Sequence, residues 1–214
     1  MYPIYQIDAF TNALFSGNPA AVVPLDSWLP DALMQQIARE NNLSETAFFV
    51  PLDGPDTFHI RWFTPAAEVQ LCGHATLATA YAIFHVLKNS STRLSFQSRS
   101  GWLHVHREGD WLTLDFPVDH LRKAALTAEA AGAFQPAPLE VWLGREDYLL
   151  VYATEQDVLD LKPDFAALAR VPARGFIATA PGSESDFVSR CFFPAFGIDE
   201  DPVTGSAHTT LAPY

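Results

Sequence analysis

A sequence unit that occurs twice most constrains how this chain can fold. The first copy, Arg61–Ala66, is followed by a Gly-His-Ala step beginning at Gly73. The second copy, Arg190–Ala195, is followed by a Gly-Ser-Ala step beginning at Gly205. Arg, Phe, Pro and Ala occupy identical offsets in both copies, and the spacing from Arg to Gly is 12 residues in one and 15 in the other. Each copy predicts a strand, a turn and a glycine-led helix, so two similar lobes are expected.

The repeat also predicts where the second lobe should end. After Gly73 the first lobe continues for 44 residues to Pro117, whereas nine residues follow Gly205. Placing the same 44 residues after Gly205 predicts an end near residue 249, about 35 residues past the end of this sequence. The expected organisation is a first lobe at 1–117 and an incomplete second lobe at 118–214.

The composition is that of a folded protein with an ample core. Hydrophobic residues make up 49% and aromatic residues 13% of the chain, which excludes a disordered protein. The net charge of −12, without clusters of Lys and Arg, argues against nucleic acid as a partner. No secretory signal is visible, and no apolar stretch is long enough for a membrane span. Cys72 and Cys191 give no disulfide framework, so a reduced, cytoplasmic protein is expected.

The segment 73–87 predicts the most informative helix. Apolar residues surround it on all sides, and a helix without a polar face is expected to be buried all round. Strands are expected before and after it, which favours a curved sheet wrapped around this helix. An amphipathic helix is expected at 31–41, and Thr154 is expected to cap a short helix.

Alternating hydrophobicity and turn residues predict a series of strands in both lobes. They are expected at 4–10, 20–23, 46–50, 58–63, 94–96, 102–107, 111–116, 139–143, 148–152, 175–179 and 187–193.

Glu45 is the leading candidate for proton transfer. Alternation places it at the start of a strand, on the same face as Ala47 and Phe49. Apolar neighbours disfavour the charged form of a carboxylate, which suits such a group to acid–base chemistry. The alternative is a solvated carboxylate at a strand end.

The two glycine-led helix starts are candidate binding sites. Helix N-termini offer backbone N–H groups that bind carboxylate or phosphate, although Gly73 and Gly205 could simply allow close packing. His74 could donate or accept a hydrogen bond at the first start, or serve only the structure. Asp201 precedes the second start in an acidic turn that could also be simply solvated. Cys72 lies where a helix N-terminus would favour a thiolate.

A metal site is not expected from the histidines. His104 and His106 project from one strand face, but no third ligand accompanies them at a suitable spacing, so a solvated face is favoured. The chain also lacks a GxSxG elbow and a phosphate-binding GxxxxGK[ST] loop.

Four motifs occur together in one order along almost the whole chain. They are Asp8–Thr11 with Gly17–Val22, Ser44–Thr46, Leu71–Thr76 and Glu200–Ala207. In these motifs and their order the chain resembles the phenazine-biosynthesis-like (PhzF) proteins. The resemblance implies an α+β fold of the diaminopimelate-epimerase type. Each of two similar lobes would be a curved, mostly antiparallel sheet around a central helix, with the site in the cleft between the lobes and the second lobe truncated.

The resemblance also implies a function. It implies an isomerase in which Glu45 moves a proton between carbons of a small unsaturated carboxylate, assisted by His74, Asp201 and Ser206. The positions that would bind this substrate are Asn18, Ser44, Gly73 and Gly205. No metal or organic cofactor is implied, and a homodimer is expected.

Other functions stay open on the residues alone. One is a non-catalytic small-molecule binder that kept the site but lost turnover. A second is a cysteine-dependent racemase or epimerase, but Thr204 stands where a second thiol would be needed, and a hydroxyl is too weak an acid for that role. A third is a hydrolase using Cys72 and His74, which is disfavoured because each residue along a helix is rotated by about 100° from the one before it and because no second acid–base partner is evident. Loss of function on alkylation of Cys72 is expected if a thiol mechanism operates, and no loss is expected if Glu45 is the acid–base group.

Overall fold

The computed structural model describes residues 1–13, 15–116 and 118–214. The chain divides into two compact units, the first being Met1–Phe116 and the second the remainder of the chain to Tyr214. Each unit has its own sheet and its own apolar core. Across the described ranges, no helix combines the length and the apolar character that a membrane crossing requires.

The described residues of the first unit form an eight-stranded sheet. Its strands are β1 (Tyr5–Ala9), β2 (Asn18–Pro24), β3 (Glu45–Pro51), β4 (Thr57–Phe63), β5 (Glu68–Val69), β6 (Arg93–Ser98), β7 (Gly101–Glu108) and β8 (Trp111–Asp115). They follow the order β1-β2-β3-β4-β6-β7-β8, with β5 beside β4. The β2–β3 and β4–β6 pairs are parallel and the other pairs are antiparallel.

Two helices cover opposite faces of this sheet. They are α1 (Asp31–Asn41) and α2 (Gly73–Tyr81). Strand β3 shows why both faces need cover. Its residues Ala47 and Phe49 belong to the core that contains α2, whereas Phe48 and Val50 belong to the core that contains α1. The period-2 alternation of a strand produces this division, so the face assigned to Glu45 from the sequence is the α2 face.

The prediction that the helix after Gly73 is buried on every side holds for most of α2 but is wrong from Tyr81 onward, since the Tyr81 side chain is already exposed. The first turns are buried, including Thr76 and Thr79, whose hydroxyls donate to backbone carbonyls one turn earlier. Beyond them the helix widens into a π-helical turn, Ala82–Val86. The wider turn shifts the positions of the following side chains, and Leu87 is exposed.

The described residues of the second unit form a six-stranded sheet with the order β14-β13-β12-β11-β10-β9. Its strands are β9 (Arg122–Lys123), β10 (Glu140–Leu143), β11 (Asp147–Val151), β12 (Gly175–Pro181), β13 (Phe187–Phe193) and β14 (Ile198–Asp201). Its helices are α3 (Ala128–Gly132), α4 (Glu155–Leu159), α5 (Phe165–Leu168) and α6 (His208–Leu211). As predicted, Thr154 caps α4, and a reciprocal bond from its backbone to Asp157 completes a capping box.

The second glycine-led segment differs from its prediction. Gly205–Ala207 is a 3₁₀ turn that leads into α6, so an α-helix does not begin at the glycine itself. Leu211 and Ala207 pack on one face of the sheet, while α3, α4 and α5 pack on the other.

The structure extends the sequence repeat to whole sheets. The strands β1 to β5 pair in the same way as β10 to β14: an antiparallel pair, a parallel pair and two antiparallel pairs. The repeated arginines make the same contact in both units. Arg61 forms a two-point ion pair with Glu68, and Arg190 forms one with Glu200. Each of these glutamates lies five residues before the glycine of its copy.

Candidate active site

Three chain segments of the first unit begin at the same place. Strands β2 and β3 are parallel, with Ala20 paired to Glu45, so both strands begin at one edge of the sheet. Asn18 is the first residue of β2 and Glu45 is the first residue of β3. Helix α2 packs against both strands and brings its own beginning, at Gly73, to this edge. The predicted residues Asn18, Ser44, Glu45, Gly73 and His74 therefore come together.

His74 is the centre of this group. Its Nε2 atom lies 3.4 Å from Glu45 Oε2 and 3.4 Å from Ser44 Oγ. On the other side of the ring, Nδ1 lies 3.5 Å from Cys72 Sγ. Ser44 Oγ also lies 3.2 Å from Asn18 Oδ1, to which its hydroxyl can donate. The imidazole thus connects a carboxyl group, a hydroxyl and a thiol.

Burial determines the charge of His74. The side chain is almost fully buried, which lowers its pKa to about 4, and a hydrogen bond with the Pro19 backbone acts in the opposite direction. At neutral pH the ring is therefore neutral, and its contact with Glu45 is not an ion pair. A neutral imidazole carries one N–H, so the Pro19 carbonyl, Glu45 and Cys72 cannot all accept a hydrogen bond from the ring at once.

Cys72 belongs to the same group, whereas the sequence prediction disfavoured a contact between its thiol and His74 by placing both residues on a helix. In the structure Cys72 is the residue before the helix and has an extended backbone, with φ −147° and ψ 113°, so its side chain turns back toward the ring. Alkylation of Cys72 would consequently disturb the contact partner of Glu45. It does not separate a thiol mechanism from a glutamate mechanism.

Gly73 serves close packing as well as the helix start. A Cβ atom at this position would lie 2.6 Å from Cζ of Phe116. The ring of Phe116 therefore lies directly against the backbone at the beginning of α2, and a side chain at residue 73 would displace it.

The remaining predicted residues lie in the second unit, at the end of β14 and in the turn before α6. The Thr204 hydroxyl donates to Asp201 Oδ2. Ser206 Oγ accepts a 3.5 Å hydrogen bond from Nη2 of Arg174. Gly205 lies between these two contacts in the sequence.

Arg174 and Asp147 were not identified from the sequence. Asp147 is buried and accepts two hydrogen bonds from Arg174, one of them 2.8 Å from Nε to Oδ1. Burial disfavours the charged guanidinium, but its bonds to Asp147 outweigh this effect and raise the pKa of Arg174. The guanidinium also lies over the ring of Phe193, 5.4 Å from its centre. Neither residue belongs to a recognisable motif, and only extending the repeat alignment upstream would have drawn attention to them.

The strand register shows which positions correspond in the two copies. Phe48 pairs with Arg61, and Ala178 pairs with Arg190. Counting back three residues along each strand makes Gly175 the counterpart of Glu45.

The same counting makes Arg174 the counterpart of Ser44, and the glycine motifs make Ser206 the counterpart of His74. Ser44 contacts His74 in the first unit, and Arg174 contacts Ser206 in the second. The two copies therefore make an equivalent contact with different residue types.

Gly175 cannot be replaced by a larger residue without rearrangement. A Cβ atom there would lie 2.2 Å from Cδ1 of Phe193. The second copy therefore has no room for a counterpart of the Glu45 side chain.

The two cysteines have different surroundings. Cys191 lies on β13 in the core, as expected, and burial raises the pKa of its thiol to about 12. The counterpart of Cys72 is Thr204, whose hydroxyl already donates to Asp201. The chain therefore does not place a thiol at each glycine motif.

One set of side chains has the composition of a metal site. Within the described residues, ligand atoms of Glu45, Cys72 and His74 all lie within 4.8 Å of one another. The histidines considered from the sequence do not form such a set. His104 Nδ1 lies 3.0 Å from Ser95 Oγ, and His106 is exposed.

Comparison with known proteins identifies the family of the chain. The model of the phenazine biosynthesis-like protein family, PhzC-PhzF, matches residues 7–214. An uncharacterized isomerase of Pseudomonas aeruginosa is 55% identical over 211 residues, covering 98% of this chain and 80% of the relative. The crystal structure of a PhzF family protein from Enterococcus faecalis has a TM-score of 0.90 at 47% identity, covering 100% of this chain and 81% of that one.

A more distant neighbour supports the fold alone. A probable proline racemase from Agrobacterium radiobacter has a TM-score of 0.66 at 9% identity, covering 100% of this chain and 77% of that one. The predicted fold class, α+β with two similar lobes of the epimerase type, is confirmed.

Relatives that are 45–55% identical to the chain are named as isomerases, and the chain is accordingly an isomerase. The chain belongs to the phenazine biosynthesis-like (PhzC-PhzF) family.

Proposed function

We propose that this isomerase moves a carbon-bound proton on a small, unsaturated carboxylate, with Glu45 as the acid–base group. The observation that carries the proposal is the position of Glu45. Its side chain is 13% exposed and lies 3.4 Å from a neutral, buried imidazole. The carboxyl group is thus reachable, while its surroundings are largely dehydrated and free of a fixed positive charge from His74.

The proposed reaction has two proton transfers. The Glu45 carboxylate takes a proton from a substrate carbon, and the electron pair left behind is delocalised over the unsaturated system of the substrate. The resulting carboxylic acid then returns the proton to a different carbon, which restores the carboxylate and completes the isomerisation. No external acid, base or oxidant is consumed.

His74, Ser44 and Asn18 orient the acid–base in this proposal. When the imidazole N–H is on Nε2, it donates toward the Glu45 carboxylate. The ring stays neutral in both states of Glu45, because burial disfavours a charged imidazole and lowers the pKa of His74 to about 4.

In the second unit, the group of polar residues formed by Arg174, Asp201, Thr204 and Ser206 is proposed to bind the substrate rather than to transfer its proton. Arg174 supports the Ser206 hydroxyl, and Asp201 holds Thr204. The absence of a side chain at Gly175, the counterpart of Glu45, favours a single acid–base group over two groups that act from opposite faces. Asp201→Asn and Ser206→Ala are accordingly expected to weaken binding and rate together.

A cysteine-dependent racemase or epimerase is the second candidate, favoured by the 3.5 Å contact between Cys72 Sγ and His74 Nδ1. Thr204 at the equivalent position argues against it, as does the deep burial of Cys191. A non-catalytic binder is the third. A cytoplasmic homodimer, expected from the resemblance and from the cysteine content, is part of the proposal.

The experiment that tests the reaction class is a substrate panel. Dihydroaromatic acids and small amino acids, deuterated at the exchangeable carbon, are incubated with the protein, and loss of deuterium is followed by mass spectrometry. Migration or loss of deuterium from an unsaturated acid is the expected result. Exchange confined to the α-carbon of amino acids would favour the racemase, and no exchange with any compound would favour the binder.

A further inference from the structure

Glu45, Cys72 and His74 offer three different donor types in one small volume. They supply a carboxylate oxygen, a thiol sulfur and an imidazole nitrogen, all within 4.8 Å of one another. Cys72 and His74 are buried, and Glu45 is nearly so. The mechanism proposed above uses the oxygen and the nitrogen but gives the sulfur no role.

The spacing of the sulfur and the nitrogen matches a known coordination geometry. Zn²⁺ binds Cys sulfur at about 2.3 Å and His nitrogen at about 2.0–2.1 Å, and a tetrahedral angle between those bonds separates the two donors by roughly 3.5 Å. Cys72 Sγ and His74 Nδ1 are 3.5 Å apart. A cation could therefore touch both atoms without movement of the backbone at the start of α2.

The third donor lies nearer the other ring nitrogen, with Glu45 Oε2 3.4 Å from His74 Nε2, and reaches the same cation only by rotating its side chain. Glu45 is the first residue of β3, where its backbone is fixed by pairing with Ala20, but its carboxyl group lies at the end of three rotatable bonds. A thiolate and a carboxylate together would balance the two positive charges of the ion.

We propose that Glu45, Cys72 and His74 form a binding site for a thiophilic divalent cation, with Zn²⁺ as the best match. Thiolate and imidazole ligands select Zn²⁺ over the hard cations Mg²⁺ and Ca²⁺, which prefer oxygen. A water molecule would complete the tetrahedron. Binding forms a Zn–S bond at Cys72 and releases the thiol proton to solvent, so uptake is accompanied by proton release.

The consequence for activity rests on the proposed function. A cation held by Glu45 and His74 occupies the acid–base group, so Zn²⁺ is expected to be a reversible inhibitor that a chelator removes. Binding itself is independent of any reaction and can be measured without substrate.

The direct test is titration of the metal-free protein with Co²⁺, which takes Zn²⁺ sites and absorbs light. The expected result is a thiolate-to-cobalt charge-transfer band in the near ultraviolet, which is lost when Zn²⁺ is added because Zn²⁺ binds the same ligands more tightly. The band should be absent in Cys72→Ser and present in Cys191→Ser, the matched control. No band in the wild type, or a band that survives Cys72→Ser, would overturn the proposal.

A second measurement uses only the wild-type protein and so does not depend on the folding of a variant. Zn²⁺ is expected to protect Cys72 from iodoacetamide, with the modified residue identified by peptide mass. Equal modification of Cys72 with and without Zn²⁺ would overturn the proposal. Failure of the proposed function would show instead as unchanged proton exchange in Glu45→Gln, a result that does not depend on metal.

Discussion

The burial of His74 makes the stability of the folded protein depend on pH. It is buried, and its folded pKa of about 4 lies below the ordinary value of 6.5. Between these two values the unfolded chain binds a proton that the folded chain does not. The stability contributed by neutral His74 is therefore fully present above pH 6.5 and is lost as the pH falls toward 4.

This difference predicts a pH-dependent stability that one substitution removes. Lowering the pH from 7 to 4 should reduce the free energy of unfolding through His74 by up to about 3 kcal/mol. The measurement is urea unfolding of wild type, His74→Gln and His106→Gln between pH 4 and pH 7.5. His106 is exposed, so its variant should retain the wild-type pH dependence. An equally steep dependence in His74→Gln would show that the protonation of His74 is not its source.

The Arg174–Asp147 pair predicts a second effect at a single residue. Asp147→Ala leaves a largely buried guanidinium with only its longer ion-pair contact to Glu146, at 3.8 Å, which is expected to cost about 3–5 kcal/mol. The matched control is Glu129→Ala, which breaks the exposed pair with Arg170 and should change stability by less than about 1 kcal/mol. Thermal unfolding of the three proteins compares them. Similar losses in both variants would mean that Asp147 does not stabilise a buried charge.

At the scale of the element, the beginning of α2 depends on a glycine for its packing. Gly73→Ala would place a methyl group 2.6 Å from Phe116, and overpacking of this kind typically costs about 1–3 kcal/mol. Gly132→Ala is the control, because a Cβ atom at Gly132 meets no atom within 4 Å and Ala is the better helix former. Differential scanning calorimetry should show a lower melting temperature for Gly73→Ala alone. Rescue by Phe116→Leu would confirm the cause, and an unchanged melting temperature in Gly73→Ala would contradict it.

The sequence predicted most elements because their signals are local. Helix α1 was predicted at its observed bounds, and strand β13 likewise. Short elements such as β5 and α5 have too few residues to show a period. The exposure of Tyr81, Val86 and Leu87 was missed because apolar content alone does not reveal where the burial of a helix ends.

The candidate site was predictable only in part for a related reason. Glu45 and His74 belong to motifs that can be recognised along the chain. The contact between Cys72 and His74 depends on the extended backbone of the residue before a helix, which helical geometry cannot supply. Arg174 contacts Ser206 only because the fold brings the residue before strand β12 beside the residue after Gly205. The spacing of the two residues along the sequence does not reveal this contact.

At the scale of the whole molecule, the first unit ends its sheet with an open edge. Strand β8 has a neighbour on one side within the described residues, and Trp111 on this strand is 80% exposed. Open edges and large exposed aromatic side chains are commonly covered by a partner. Together with the resemblance, this predicts a homodimer. Sedimentation velocity should give twice the chain mass at micromolar concentration, and a single species of one chain mass would contradict the prediction.

The duplicated architecture has a glutamate, Glu45, in one copy and a glycine, Gly175, in the other, and the proposed mechanism rests on this asymmetry. Glu45→Gln keeps the size and hydrogen-bonding reach of the side chain but removes its ability to carry a proton. The most direct measurement is solvent-deuterium incorporation into a saturating substrate by wild type, Glu45→Gln and the exposed control Glu40→Gln. Exchange is expected to fall by about 10²–10⁴ in Glu45→Gln, with substrate binding largely retained and Glu40→Gln unchanged. Exchange by Glu45→Gln at the wild-type rate would contradict it.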